Sequence, residues 1–113
     1  MELISIVTPC YNEENTIIEL CDKISSVFAG LEGYDYEHVI IDNFSTDNTR
    51  AILRLLAEKD SRVKVIFNSR NFGIIRSVHH AILQTIGSSV VIMAADLQDP
   101  PELLPVFLEK REQ

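Results

Sequence analysis

Four short stretches of this 113-residue chain gather side chains able to do chemistry. Pro9-Cys10-Tyr11-Asn12-Glu13-Glu14 offers an aromatic ring and two carboxylates. Asp42-Asn43-Phe44-Ser45-Thr46-Asp47 offers two carboxylates and two hydroxyls. Asn68-Ser69-Arg70-Asn71 carries a guanidinium among amides. Asp96-Leu97-Gln98-Asp99 ends in two prolines, Pro100 and Pro101. Carboxylates and amide oxygens suit hard cations and sugar hydroxyls, and a guanidinium suits phosphate.

Each cluster follows an apolar run. Leu3–Thr8, His38–Ile41, Val63–Phe67 and Ser88–Ala94 are short and rich in β-branched residues, which predicts four strands. The last run, Val90 to Ala95, is unbroken, so a strand buried on both faces is expected there. Between the runs, apolar residues recur at steps of three and four. Ile17, Leu20, Cys21, Ile24, Val27 and Phe28 mark a helix over about 13–28. Ile52, Leu55 and Leu56 mark a second, with Ser45 and Thr46 as candidate caps. Ile75, Val78, Ile82 and Ile86 mark a third over about 74–86. Leu104, Phe107 and Leu108 mark a last one, begun by Pro100 and Pro101 with Asp99 as its cap. Tyr34 and Tyr36 read as loop packing, and His79 and His80 as surface or packing residues.

Strands alternating with helices predict an α/β domain: a mostly parallel, Rossmann-like sheet with right-handed crossovers and helices on both faces. In such sheets ligands bind beyond the carboxyl ends of the strands. All four polar clusters lie there, so they are expected to converge on one crevice.

Composition narrows the function. The formal net charge of −7 argues against binding nucleic acid through a general basic field. Most of the Lys and Arg residues fall between Arg50 and Arg76, leaving room for a local basic patch. Cys10 and Cys21 form no metal pattern and suit a reducing compartment. The first residues have no basic n-region, and no apolar run reaches the ~20 residues of a spanning helix. A soluble, cytoplasmic chain is expected. It stops at or just after a helix, which reads as a truncated piece or one half of a larger sheet. An unfinished sheet edge can pair with another copy. Glycine-rich phosphate loops are missing: neither G-x-G-x-x-G nor G-x-x-x-x-G-K-[ST] occurs.

With these rivals set aside, the four clusters together resemble the family 2 inverting glycosyltransferases of GT-A fold. The matches are P-x-Y-N-E-E at Pro9–Glu14, D-D-G-S-x-D-x-T at Asp42–Thr49, R-N-x-G at Arg70–Gly73 and D-A-D-L-Q-D-P-P-E at Ala94–Glu102. The R-N-F-G and L-Q-D-P-P-E forms resemble the branch that acts on polyprenyl phosphates, of the dolichol-phosphate-mannose-synthase and bactoprenol-glucosyltransferase type.

The resemblance implies that residues 1–113 are the N-terminal, nucleotide-sugar-binding part of such an enzyme. It implies a UDP- or GDP-sugar donor and a polyprenyl phosphate or cell-envelope glycan as acceptor, at the cytoplasmic face of the membrane. Pro9, Tyr11 and Glu13 would line the base and ribose, Asp42 would face the base, Asn12, Ser45 and Asp47 would also bind the nucleotide-sugar, Arg70 would face phosphate, and Asp96 would meet ribose, sugar or metal. Asp96 and Gln98 would serve Mg²⁺ or Mn²⁺. No catalytic base is expected within the segment; it would lie beyond residue 113.

The chain departs from the family pattern in three places. Ala94 replaces the first acid of the metal motif, so metal affinity without nucleotide is expected to be weak. Asn43-Phe44 replaces an acid and a glycine. Ile74-Ile75 stand where relatives often carry charge. A module that kept the fold and lost catalysis is the alternative these departures support.

Overall fold

A computed structural model describes residues 2–97 and 101–112, with side chains through Glu109. Gln98, Asp99 and Pro100, and with them the metal role of Gln98 and the cap role of Asp99, lie outside the described residues. The order is β1 (Glu2–Cys10), α1 (Ile17–Ala29), β2 (Tyr34–Asp42), α2 (Thr49–Lys59), β3 (Val63–Phe67), α3 (Ile74–Leu83), β4 (Ser89–Ile92), a 3₁₀ turn (Pro101–Leu103) and α4 (Leu104–Glu112). The sheet runs β3-β2-β1-β4, and every pairing is parallel.

Side chains alternate across a strand, so β1 and β2 each serve two cores. Ile4, Ile6, Tyr36 and Ile40 pack with Ile17, Leu20, Ile24 and Phe28 of α1, Leu53 of α2, and Leu104 and Leu108 of α4. Val7, Val39 and Ile41 face the other way, onto Ala81 and Ile82 of α3. The α1 stripe falls where its periodicity predicts.

The register levels the carboxyl ends. Cys10 stands beside Asp42, and Asp42 beside Phe67. The ladder continues one step into the loops: Asn43 N donates to Cys10 O at 2.8 Å, and Asn68 N to Asp42 O at 2.9 Å. Hence the polar segments after β1, β2 and β3 leave the sheet at one edge.

Four expectations need correction. Tyr34 and Tyr36 belong to β2, which is longer than its apolar run, and Tyr36 stacks on Phe28 with ring centroids 4.6 Å apart. The buried residues of α3 are Ser77 and Ala81, with Val78 and Ile82 half-buried. Ile75 is 83% exposed, and Ile86 lies past the helix end at 71%. Small side chains let α3 sit close to β1 and β2, and this close seat turns the isoleucines outward. In α2, Leu53 is buried while Leu55 is exposed. Finally, β4 is the edge strand of the described sheet and is covered on one side: Val90 and Ile92 are exposed, so the burial on both faces expected of this run is not seen among the described residues.

Behind the site, a buried carboxylate ties the α3–β4 connection to the sheet. Glu37 accepts from Ser5 Oγ (2.5 Å), Lys64 Nζ (2.7 Å) and Ile86 N (2.7 Å). Gly87 N donates to Ser5 Oγ at 2.9 Å. A Cβ on Gly87 would lie 2.4 Å from Ser5 Oγ and 2.7 Å from Ser5 N, so only glycine fits this approach. Burial pushes the Glu37 carboxyl up, but Lys64, Ser5 and the Ile86 N–H together outweigh it and hold the group below its ordinary range.

His38, on the α1 side of β2, is completely enclosed. Its Nε2 lies 2.8 Å from Thr8 Oγ1 and its Nδ1 3.8 Å from Cys21 Sγ. Burial pulls its pKa down to about 4, with slight opposition from Asp60. The folded value lies below the unfolded one, so unfolding takes up a proton between them. The neutral ring's contribution is complete above about pH 6.5 and fades as pH falls toward 4, by about 3 kcal/mol in all. Urea midpoints at pH 7.5 and 5.0 should therefore differ more in the wild type than in His38→Gln. Equal differences would show that His38 does not set this dependence.

Candidate active site

The rim of the crevice is built by two loops that bond to each other. Asn12, at φ 52°, presents its side chain across the gap after β2. Its Oδ1 accepts from Thr46 N (2.8 Å) and Asp47 N (3.3 Å), and its backbone N–H donates to Ser45 Oγ (2.9 Å). One residue on, Glu13 N donates to Thr49 Oγ1 at 2.9 Å. Glu14 Oε2 accepts from Asn48 N at 3.2 Å. Asp47 caps the start of α2: its Oδ1 accepts from Thr49 N (2.9 Å) and Thr49 Oγ1 (2.5 Å). Ser45 and Thr46, expected as caps, instead hold the first loop.

Asp42 is fully buried. Its oxygens accept from the backbone N–H and the hydroxyl of Ser45, and Oδ2 lies 3.8 Å from Arg50 Nε. Asp42, expected to face the base, has its carboxylate on the α2 side of the sheet, against Ser45 and Arg50. The next residue turns to the opposite face, and there Asn43 lines a cavity of about 110 Å³ with Pro9, Cys10, Tyr11, Glu13, Ile74 and Ser77. Tyr11 is 45% exposed at its mouth.

Glu13 is raised above the ordinary carboxylate range, first by burial and then by the negative charges of Asp96 and Asp47; the Thr16 hydroxyl opposes this. The influence of Asp96 places the loop after β4 within electrostatic reach of the loop after β1. Burial raises the Cys10 thiol strongly, with Asp42 and Glu13 adding to it, so it remains protonated and is no nucleophile.

Thus the structure groups Pro9, Tyr11 and Glu13 around the cavity, puts Asn12, Ser45 and Asp47 in the rim, and sets Asp96 near Glu13. Arg70 does not line the cavity. It is exposed on the loop after β3, its guanidinium 4.8 Å from the centre of the Phe72 ring. Among the described residues no three His, Cys, Asp or Glu side chains form a group able to hold a metal ion. Asn43 and Ile74 stood out in the sequence only as departures from the family pattern and Thr49 only as the end of a motif, none of them as a site residue, and Ser77 did not stand out at all. Thr49 and Ser77 carry a detectable signal, being small polar residues at positions a helix buries.

A parallel α/β sheet with a polar crevice at its carboxyl edge defines the class as a Rossmann-like, ligand-binding α/β fold, and solved glycosyltransferases of GT-A fold share it. Comparison with known proteins agrees. The profile of glycosyl transferase family 2 matches residues 5–113, and the chain belongs to that family. It is 34% identical, over its whole length, to 33% of an undecaprenyl-phosphate 4-deoxy-4-formamido-L-arabinose transferase from Pseudomonas aeruginosa. Among solved structures, 86% of the chain superposes on 32% of a mannosyltransferase from Pyrobaculum calidifontis in complex with GDP-Man and Mn²⁺, with a TM-score of 0.71 and 26% identity. Similarly, 97% superposes on 39% of a glucosyl-3-phosphoglycerate synthase from Mycobacterium tuberculosis in complex with Mn²⁺, UDP and glucosyl-3-phosphoglycerate, with a TM-score of 0.73 and 28% identity. The chain spans about a third of the length of these proteins.

Phe44 holds a left-handed backbone, φ 69°, with its ring 43% exposed and 6.0 Å from the Arg50 guanidinium. That backbone region favours glycine. Phe44→Gly should be more stable than Phe44→Ala by about 1 kcal/mol, since both lose the ring and only glycine relieves the strain. Urea unfolding of the two variants measures this; alanine equal to or above glycine would refute it.

Proposed function

We propose that this crevice binds the nucleotide end of a nucleotide-diphospho-sugar, and that the whole protein transfers the sugar, with inversion, to a polyprenyl phosphate or cell-envelope glycan. The observation that carries the reading is the pairing of the loops after β1 and β2 around a cavity walled by Pro9, Tyr11 and Ile74, with Glu13, Asn43 and Ser77 as polar groups. At about 110 Å³ it is smaller than the ~300–1,000 Å³ of whole-ligand pockets and suits one flat ring. No cation lines it, so the phosphates belong outside, toward Asp96 and the Arg70 loop. Asn43, rather than Asp42, is the residue of β2's end that meets the base.

The donor class follows the two structural neighbours, whose complexes hold GDP-Man or UDP. The acceptor class follows the name of the Pseudomonas relative. Both neighbours also contain Mn²⁺. This chain's residues fit a divalent ion that arrives with the diphosphate. Glu13 is raised in part by the charge of Asp96, so a cation beside Asp96 would offset that repulsion on Glu13. Asp96 would hold it, and a bound Mg²⁺ or Mn²⁺ supplies charge neutralisation for the departing nucleoside diphosphate. One carboxylate plus phosphate oxygens and water suffices for Mg²⁺. The reading places the protein at the cytoplasmic face of a membrane; no helix among the described residues is long and apolar enough to cross one.

Saturation-transfer NMR with UDP, GDP and their sugars should show base and ribose contacts, and Tyr11→Ala should weaken binding about tenfold by removing the stacking ring. Calorimetry should register Mn²⁺ only once nucleotide is present. No response to any nucleotide from a folded sample refutes the donor site, and tight Mn²⁺ binding without nucleotide refutes the metal assignment.

A further inference from the structure

Asn43 is joined to the Arg70 loop by a set of hydrogen bonds whose directions are fixed. Its Oδ1 accepts from Phe72 N (2.9 Å), Asn68 Nδ2 (3.1 Å) and Ser77 Oγ (3.1 Å). Its Nδ2 donates to Asn71 Oδ1 at 2.7 Å, and that oxygen also accepts from Gly73 N at 2.8 Å. Asn68 Nδ2 donates in addition to Ser77 Oγ at 3.0 Å. Backbone N–H groups only donate, so Phe72 dictates where the Asn43 oxygen lies, and Gly73 dictates the same for Asn71. The Asn43 amide nitrogen must then face the Asn71 oxygen. A carboxylate at position 43 would set oxygen against oxygen there, and one of the two loop contacts would have to open.

The consequence reaches Arg70. It sits between Asn68 and Asn71, both tied to Asn43. Its guanidinium lies over the ring of Phe72, whose own N–H is held by Asn43. No Asp or Glu side chain among the described residues forms an ion pair with it.

We infer that Asn43 is a positioning residue: from the floor of the crevice it fixes the 68–73 loop and so sets Arg70 to meet the phosphates of a bound nucleotide before the ligand arrives. This rests on the nucleotide reading above. It gives Asn43 a second task, because ordering the loop in advance removes that cost from binding. It also gives the neutral amide at this position a use, since it accepts from Phe72 N and donates to Asn71 Oδ1 at once.

The test compares each nucleoside with its diphosphate, uridine with UDP and guanosine with GDP, by calorimetry on the 113-residue chain. The diphosphate advantage is the ratio of the two affinities. Arg70→Ala should cut it about tenfold, the worth of one charge-assisted contact to phosphate. Asn71→Ala, on the exposed loop where folding is not at stake, should cut it similarly while leaving nucleoside affinity nearly unchanged. Asn43→Asp should also cut the diphosphate advantage, with nucleoside affinity changing as well because Asn43 lines the base cavity, and the Arg70→Ala/Asn71→Ala double variant should lose no more than Arg70→Ala alone. An intact diphosphate advantage in Asn71→Ala, or losses that add in full, overturns the inference and leaves the nucleotide site standing. Wild-type chain that binds neither nucleosides nor diphosphates overturns both.

Discussion

The site depends on the hydrogen bonds by which the loops after β1 and β2 hold each other. Parallel sheets that bind phosphates often use glycine-rich turns, in which backbone N–H groups face the ligand directly. This chain has no such turn. It spends the Asn12 side chain and the Ser45 and Thr49 hydroxyls on backbone groups of the facing loop. The rim is therefore shaped by side chain-to-backbone contacts within the chain. It also demands unusual backbone: Asn12, Phe44 and Leu97, one in each of three loops at this edge, have positive φ. Local strain of this kind persists where surrounding contacts over-determine it, and the contacts between the first two loops do so.

The second organising fact is the alternation of a strand. Asp42 and Asn43 are neighbours in sequence, yet they serve opposite faces. Asp42 joins Ser45 and Arg50, while Arg50 also lies over Phe67 at 4.9 Å. Asn43 joins Asn68, Asn71 and Ser77 beneath the α3 side. One carboxylate therefore braces the second loop from within, and one amide braces the third from the crevice. The sheet lends both its rigidity, since the register at Cys10, Asp42 and Phe67 fixes where each loop begins.

Much of this was legible beforehand. The four strands, the parallel order and the α1 stripe follow from period and residue type, because α1 has one wide apolar face and each strand is short and β-branched. The convergence of Pro9, Tyr11, Glu13 and Asp96 follows from topology alone. Other features were hidden for physical reasons. In α3 the apolar residues outnumber the small ones, and periodicity counts greasy side chains; yet close packing on β1 and β2 selected Ser77 and Ala81 for the interior. Tyr34-Asp35-Tyr36-Glu37 shows no apolar run, because Glu37 is buried by hydrogen bonding and not by hydrophobicity. The parity at the end of β2 was not legible either. A motif names both residues, but only the pleat says which of them faces the crevice.

That parity has an evolutionary corollary. Position 42 answers to 45 and 50, whereas position 43 answers to 68, 71 and 77, and no side-chain hydrogen bond or ion pair links the two sets among the described residues. Adjacent codons here should thus belong to separate coevolving groups. Exchange of the amide at 43 for an acid would be felt in the contacts to the third loop, while leaving 42, 45 and 50 untouched.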